Sequence, residues 1–135
     1  MEERVKTVAD SAIDMTELVL PVDVNLLNNL KGGRLMHWID IAAALAASRH
    51  SNCIVATVSV DKLDFKHPVR RGEMVKLHAE LTGVGNTSMQ IKVEVTAENL
   101  RTGAQILTNE AHLVFVALDD NSRPTRVPRL KLDNE

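Results

Sequence analysis

The sequence contains few cysteines, few aromatic residues and no long apolar run, and each shortage excludes a class of protein. Cys53 is the single cysteine, so no disulfide framework can form within the chain, and we expect a reducing compartment. The aromatic residues are Trp38, Phe65 and Phe115, with no tyrosine. Such a small set does not provide the stacking surface that single-stranded nucleic acids require.

The sequence also lacks a large excess of charge of either sign. The 16 lysines and arginines are balanced by 18 acidic residues, for a formal net charge of −2, whereas nucleic-acid binding requires a clustered basic face. Residues 1–10 mix charges and contain no apolar core of an export signal. The most apolar stretch, residues 35–47, carries His37 and Asp40 and is too short to span a bilayer. We therefore expect a cytoplasmic protein that contacts neither nucleic acid nor membrane.

The 135 residues fit one domain, long enough to bury a core. We expect residues 1–11 to be frayed and the tail at 119–135 to be irregular. Gly32 and Gly33 open the one clear helix, at residues 34–50, which is rich in alanine. Arg49 and His50 stand at the end of this helix, where the helix dipole favours positive charge.

Alternation of apolar and polar residues predicts five strands. The first precedes the helix at residues 17–22, and the other four follow it at 54–61, 75–81, 89–97 and 107–118. The alternation slips before Leu63 and Phe65, which predicts a bulge or loop near Lys62. Hairpin signals at 83–86 and 99–103 require antiparallel neighbours. The pattern predicts an α+β fold in which about five antiparallel strands wrap one long helix, with edges open to another subunit.

Asp40 is the first candidate for chemistry, because it lies about two turns into a helix that is apolar on nearly every side. Such a helix is buried, and a buried carboxylate is usually paired, protonated or functional. Burial and hydrogen-bond donors tune the pKa of general bases. The alternative is a structural aspartate that hydrogen-bonds a neighbouring loop. His37 shares a helix face with Asp40 and forms either a base–orienter pair or a local hydrogen bond with it.

The glycine pair and Asn25 are the other candidates. Two glycines at a helix start leave backbone N–H groups uncovered, and these can hold an anion or a polarised carbonyl oxygen. Tight packing of the helix start is the alternative for Gly32 and Gly33. Asn25 carries an uncharged amide that can position a water or a carbonyl, although asparagine in a loop also serves turn chemistry.

Taken together, these residues resemble those of a known family. Asn25, the glycine pair and Asp40, followed by Arg49-His50, resemble the hotdog-fold acyl-CoA thioesterases of the YciA and cytosolic brain-type acyl-CoA hydrolase group. The resemblance runs in order from residue 23 to residue 128. Further matching segments are VATVSVD at 55–61, LDF at 63–65, HPV at 67–69, VGNTSM at 84–89 and FVALD at 115–119.

One departure from the family lies in the loop before the glycine pair. The family commonly has a glycine there, followed by a bulky aromatic residue or histidine. This chain has Asn28 and Lys31, with Leu26 and Leu27 in place of smaller or polar residues.

The resemblance implies an enzyme of lipid metabolism that hydrolyses acyl-CoA thioesters to a free acid and coenzyme A. Asp40 would be the general base or nucleophile, and Asn25 of the partner subunit would orient water or substrate. The resemblance further implies substrate contacts by Gly32, Gly33, Thr57, Ser59 and Ser88.

The resemblance also implies a homodimer, assembled further as a trimer of dimers, and no metal or other cofactor. The histidines are scattered without metal-binding spacing, which agrees with this expectation. Two alternatives remain open. One is a hotdog protein that binds acyl-CoA without turnover. The other is a different hotdog enzyme such as a hydratase, which needs an Asp/His pair in another arrangement.

Overall fold

The computed structural model describes residues 4–61 and 66–132. Its main elements are one 20-residue helix and one sheet of five strands. They are β2 (Ile13–Leu18), α2 (Gly32–Ser51), β3 (Ile54–Val60), β4 (Met74–Val84), β5 (Ser88–Glu98) and β6 (Gln105–Leu118). The strand order is β2-β4-β5-β6-β3, and every neighbouring pair is antiparallel. The predicted α+β hotdog architecture is confirmed.

The core lies between α2 and the inner face of the sheet. Strand β5 buries every second residue, from Met89 to Ala97, as period-two alternation requires. The helix buries positions three or four residues apart, which form one face toward the sheet. These are Leu35, Trp38, Ile39, Ala42, Ala43, Ala46 and Ala47. None of the helices in the described ranges has the length and hydropathy of a membrane span.

The opposite face of α2 is not buried, contrary to the sequence prediction. Ile41 is 36% exposed and Leu45 is 48% exposed, because the sheet covers only one side of the helix. Strand β3 lies at an edge of the sheet, and its residues Ile54 and Val58 are exposed at 77% and 60%. An apolar surface therefore extends from this edge to the outer face of α2.

The first strand of the sheet begins earlier than predicted. Strand β2 occupies Ile13–Leu18, and Pro21–Asp23 form a single 3₁₀ turn rather than the end of a strand. Pro21 has no N–H to donate to a ladder. The Oδ2 atom of Asp23 accepts a hydrogen bond from Leu20 N at 2.9 Å, so a local cap replaces strand pairing at this point.

The ladder irregularity falls within β3. Thr57 pairs with Phe115 and Ser59 pairs with Val114, so Val58 is the extra residue of a bulge. The predicted phase slip near Lys62, together with Leu63 and Phe65, lies outside the described residues.

The predictions of a frayed start at 1–11 and an irregular tail at 119–135 are wrong for parts of the described chain. A short strand β1 (Val5–Thr7) is followed by a single turn α1 (Val8–Ser11), and β1 pairs in parallel with β7 (Arg129–Lys131). Lys6 Nζ donates to Arg49 O at 3.0 Å and to Asn52 Oδ1 at 2.7 Å. The initial segment therefore supplies hydrogen-bond donors to the carboxyl end of α2, where carbonyl groups lack intrahelical partners.

His50 is another correction. Its side chain is fully buried rather than charged at the helix end, and Nε2 lies 2.8 Å from the carbonyl oxygen of Pro128. Burial lowers the pKa of His50, because desolvation disfavours the imidazolium. The neutral ring donates Nε2–H to Pro128, which ties the tail to the helix. Arg49 remains exposed and donates to Ala12 O at 3.0 Å.

We predict that His50→Gln reduces the loss of stability in acid. An unfolded histidine takes up a proton near its ordinary pKa of ~6.5, whereas the buried ring resists protonation. Its contribution to the free energy of unfolding is therefore complete above that pH and falls as the pH drops below it. Glutamine does not titrate and can still donate to Pro128. Urea unfolding between about pH 5 and 8 measures the two slopes.

The control is His37→Gln, which removes an exposed imidazole from the same helix. Equal slopes for wild type and His50→Gln below about pH 6.5 would contradict the assignment of a buried neutral ring.

Candidate active site

Asp40 lies on the side of α2 that borders β3. Its carboxylate is half-buried rather than fully buried, because β3 is an edge strand and no further strand covers it. Thr57 Oγ1 donates a hydrogen bond to Asp40 Oδ1 at 3.0 Å. The structure thus brings together Asp40 and Thr57, two of the residues selected from the sequence, with Thr57 as the hydrogen-bond donor.

The bulge at Val58 decides which residues of β3 share the face of Asp40. Cross-strand partners lie on the same face of a sheet. Thr57 pairs with Phe115, which is buried in the core, whereas Ser59 pairs with the preceding residue of β6, Val114. Successive residues of a strand point to opposite faces, so Ser59 lies on the outer face, away from Asp40.

Ser88 is on the outer face as well. It pairs with Val116, while the next residue, Met89, is fully buried in the core. One protomer therefore does not bring Ser59 or Ser88 to Asp40. Their predicted substrate contacts remain predictions about the assembled protein.

The glycine pair stands at the amino end of α2. The first N–H groups of a helix have no intrahelical acceptor, and Lys31 at the cap position provides no side-chain hydrogen bond to them. A Cβ atom added to Gly33 would meet no atom within 4 Å. The surface beside Gly33 is therefore open, and the alternative of tight packing at Gly33 is excluded within the protomer. Arg34 N already donates to Lys31 O at 3.1 Å, so the N–H groups of Gly32 and Gly33 are the candidates for a ligand.

Gly33 and Asp40 lie on the same side of α2, because seven residues are close to two full turns. The rise between them is about 10 Å at ~1.5 Å per residue, and the Cα–Cβ bond of Asp40 tilts toward the amino end of the helix. The glycine pair and the Asp40 carboxylate therefore border the same strip of the helix surface.

Asn25 occupies the loop that precedes α2, where it is exposed. Its Oδ1 atom accepts hydrogen bonds from Leu27 N at 2.9 Å and from Asn29 N at 3.2 Å. The side-chain oxygen of Asn25 therefore stabilises the turn, which is one of the two roles expected from the sequence. No hydrogen bond joins Asn25 to Asp40 among the described residues.

The departure from the family pattern has a conformational explanation at Asn28. Its φ is +62°, a left-handed conformation that glycine adopts freely and that asparagine tolerates better than most residues. Asn28 can therefore replace the family's glycine without changing the backbone path. Lys31, the second departure, is exposed beside this loop.

Asp23 is a residue to which the sequence assigned no role. It is 4% exposed, and its Oδ1 atom lies 3.1 Å from Arg34 Nε while Oδ2 caps the 3₁₀ turn. The carboxylate fixes the path between β2 and α2 and so positions Asn25. Sequence spacing alone gives no signal for this pairing with Arg34, since it depends on how the loop returns to the helix.

The remaining candidates contribute little to this site. His37 is exposed and makes no hydrogen bond with Asp40 in the part of the chain that the structure describes. Among the same residues, no three or more His, Cys, Asp or Glu side chains are grouped as metal ligands would be.

Comparison with known proteins assigns the family. Residues 27–104, more than half of the chain, match the model of the thioesterase superfamily. This chain belongs to the thioesterase superfamily. It is 40% identical over 126 residues to the uncharacterized acyl-CoA thioester hydrolase YkhA of Bacillus subtilis, covering 93% of this chain and 73% of that protein. It is 36% identical over 107 residues to the human cytosolic acyl coenzyme A thioester hydrolase, covering 75% of this chain but 28% of that longer protein.

Solved structures of superfamily members agree with the fold. An acyl-CoA hydrolase from Staphylococcus aureus, in complex with butyryl coenzyme A, coenzyme A and coenzyme A disulfide, has a TM-score of 0.91 and 30% identity. The match covers 97% of this chain and 80% of that one. An apo-hexameric acyl-CoA thioesterase has a TM-score of 0.92 and 39% identity, over 95% and 82% of the two chains. The predicted family resemblance is confirmed.

We predict that the loop at residues 23–31, the site loop, depends on the backbone conformation of Asn28. Asn28→Gly should keep or slightly raise the free energy of unfolding, whereas Asn28→Val should lower it by about 1–2 kcal/mol, the cost of a left-handed conformation for a residue with a Cβ. Thermal or urea unfolding of the three proteins measures the difference.

Asn86→Val is the matched control, because Asn86 is an exposed loop residue that is absent from the positive-φ positions. A similar loss in both valine variants would show that the effect comes from β-branching in a loop rather than from the positive φ of Asn28.

Proposed function

We propose that this chain hydrolyses acyl-CoA thioesters to a free acid and coenzyme A, with Asp40 as the general base or nucleophile. The names of its thioesterase relatives, which are acyl-CoA thioester hydrolases, support the reaction class. The hydrogen bond between Asp40 and Thr57, two turns from the amino end of α2, is the observation that supports the assignment to these residues.

Variants of the Staphylococcus aureus hydrolase give independent support. Solved structures of that protein include alanine variants of an asparagine, an aspartate 15 residues later and a threonine 17 residues after the aspartate. Asn25, Asp40 and Thr57 have the same separations in this chain. We infer that these three residues correspond.

In the proposed mechanism, the thioester carbonyl lies between the glycine pair and Asp40. The N–H groups near Gly33 donate to the carbonyl oxygen and stabilise the charge that develops on it. Asp40 accepts a proton from water, and the hydroxide attacks the carbonyl carbon. The C–S bond then breaks, and the coenzyme A thiolate takes up the proton that Asp40 accepted. In the nucleophilic variant, the carboxylate attacks the carbonyl carbon first and expels the coenzyme A thiolate, and water then hydrolyses the resulting anhydride.

Thr57 positions the base. Its hydroxyl donates to one oxygen of Asp40, which leaves the second oxygen to face water or substrate. This reaction scheme requires a base, hydrogen-bond donors and water, and we propose that it uses neither a metal nor another cofactor. We further propose a cytoplasmic location, in keeping with the single Cys53.

We propose that Asn25 reaches the site from a second subunit. The outer face of α2 and the β3 edge, with Ile41, Leu45, Ile54 and Val58, present the apolar surface that such a subunit would cover. A two-fold dimer through this surface creates two equivalent sites. The Nδ2 group of Asn25, whose carbonyl oxygen is engaged in its own loop, would donate to the water or substrate. The apo-hexameric relative supports assembly of such dimers into a hexamer.

We predict that Asp40→Asn removes most turnover without unfolding the protein. The substitution is nearly isosteric, and a general base contributes ~10²–10⁴-fold to rate. Thr57→Val, which removes only the donor to Asp40, should lower kcat roughly tenfold, the equivalent of one hydrogen bond. Release of coenzyme A thiol from a panel of acyl-CoA substrates measures both effects.

The same panel separates hydrolysis from binding without turnover, the alternative function. A wild-type protein that binds acyl-CoA but releases no thiol would establish the non-catalytic alternative. Near wild-type turnover by folded Asp40→Asn would remove Asp40 from the mechanism. Thr16→Val, on the exposed strand face, controls for loss of a hydroxyl elsewhere.

We predict that two inactive variants complement each other when they share a dimer. Asn25→Ala and Asp40→Ala homodimers should both be nearly inactive. After the two are unfolded together and refolded in equal amounts, random pairing gives about half heterodimers, each with one intact site. The mixture should therefore recover roughly a quarter of wild-type activity.

Wild type refolded in parallel corrects for losses in refolding. Sites built within one chain would give no recovery, because every chain then carries a lesion in its own site. A mixture as inactive as its parents would reject the shared site even if Asp40 proves essential.

A further inference from the structure

A second feature of the site loop is a cavity beside Asn25. Its polar lining comes from Asn25, Asn28, Lys31 and Arg71, and its apolar wall includes Val24 and Leu26. Arg71 is distant from the other lining residues in the sequence. The cavity therefore exists only because two loops, residues 23–31 and residues 66–73, lie side by side.

Backbone hydrogen bonds hold the two loops together. Leu30 N donates to Val69 O at 2.7 Å, and Arg71 N donates to Asn28 O at 3.2 Å. A bridge between Asn29 and Arg70 lies between these two bonds. The relative position of Lys31 and Arg71 is thus determined by the main chain rather than by flexible side-chain contacts.

The two cations of this cavity have no acidic partner among the described residues. Neither the Lys31 ammonium nor the Arg71 guanidinium forms a hydrogen bond or ion pair with any residue that the structure describes. The adjacent carboxylates are already engaged. Asp23 pairs with Arg34 and caps the 3₁₀ turn, and Glu73 Oε1 accepts a hydrogen bond from Arg70 N at 2.6 Å. Two positive charges therefore line one concave surface, and residues 4–61 and 66–132 provide no partner for either.

We propose that Lys31 and Arg71 form an anion-binding subsite that holds an oxyanion of the substrate. This inference rests on the proposed thioesterase function and extends it to the substrate class. A guanidinium binds a carboxylate or phosphate through parallel N–H donors, and a lysine adds a point charge. The oxyanion comes either from a carboxylate at the far end of the acyl group or from a phosphate of coenzyme A.

The experiment compares Lys31→Gln, Arg71→Gln and the double variant with wild type. Three thioesters of equal acyl length distinguish the sources: glutaryl-CoA, pentanoyl-CoA and S-pentanoyl pantetheine, which carries no phosphate. Both side chains are exposed and form no hydrogen bond or ion pair with the described residues. Arg101→Gln is the matched control, because Arg101 is an exposed arginine at the β5–β6 turn.

Each single variant should raise KM roughly two- to fivefold, and the double variant roughly tenfold, as the loss of partly exposed charge contacts predicts. A carboxylate ligand gives this rise for glutaryl-CoA and not for pentanoyl-CoA. A phosphate ligand gives it for both coenzyme A thioesters and not for the pantetheine thioester. KM values within the range of the Arg101→Gln control for all three substrates would overturn the proposal.

Binding to the Asp40→Asn protein, measured by calorimetry, separates this inference from the catalytic one. The double variant in that background should bind glutaryl-CoA roughly tenfold more weakly than Asp40→Asn alone, whether or not the wild type turns over. Unchanged affinity would reject the subsite independently of catalysis. If the double variant lost activity but bound glutaryl-CoA as tightly as before, the loss would reflect an effect on catalysis and not on substrate binding.

Discussion

The contact between the small-residue face of α2 and the inner face of the sheet is the constraint on which the candidate site depends. Ala42, Ala43, Ala46 and Ala47 are fully buried in this contact, and their methyl groups keep the helix and strands close. Interiors pack at crystal-like density, so the helix axis has little freedom to shift. Asp40 precedes this row by two residues, and its carboxylate therefore lies within hydrogen-bond distance of Thr57.

Two local irregularities of the backbone then determine which side chains and which loop lie near the candidate site. The extra residue in β3 separates Thr57 and Ser59 onto opposite faces, so only the first can reach the helix. The left-handed conformation of Asn28 turns the site loop back toward residues 69–71, where backbone hydrogen bonds hold it. The loop thus keeps its path although the chain lacks the glycine that its family commonly has there. The backbone path does not require the positive charges of Lys31 and Arg71, which this chain adds beside the loop.

Regular elements were predictable because their signals are local. Period-two alternation identified β3 to β6, and an alanine-rich run identified α2, to within a few residues at most of their ends. The failures lie where long-range contacts override local pattern. The polar start of the chain folds because Lys6 caps the carboxyl end of α2 and β1 pairs with β7. Neither contact can be read from composition.

By itself, the sequence determined the fold class, the single long helix and the residue types of the site, because helix and strand periods and motif spacing are properties of neighbouring residues. Only the tertiary structure decided that Thr57 donates to Asp40, that Ser59 faces away, and that His50 is buried and neutral. It also decided that Lys31 and Arg71 line one cavity. These outcomes depend on which distant segments pack together, and burial and proximity, not residue identity, then determine how each side chain is charged and what it can bind.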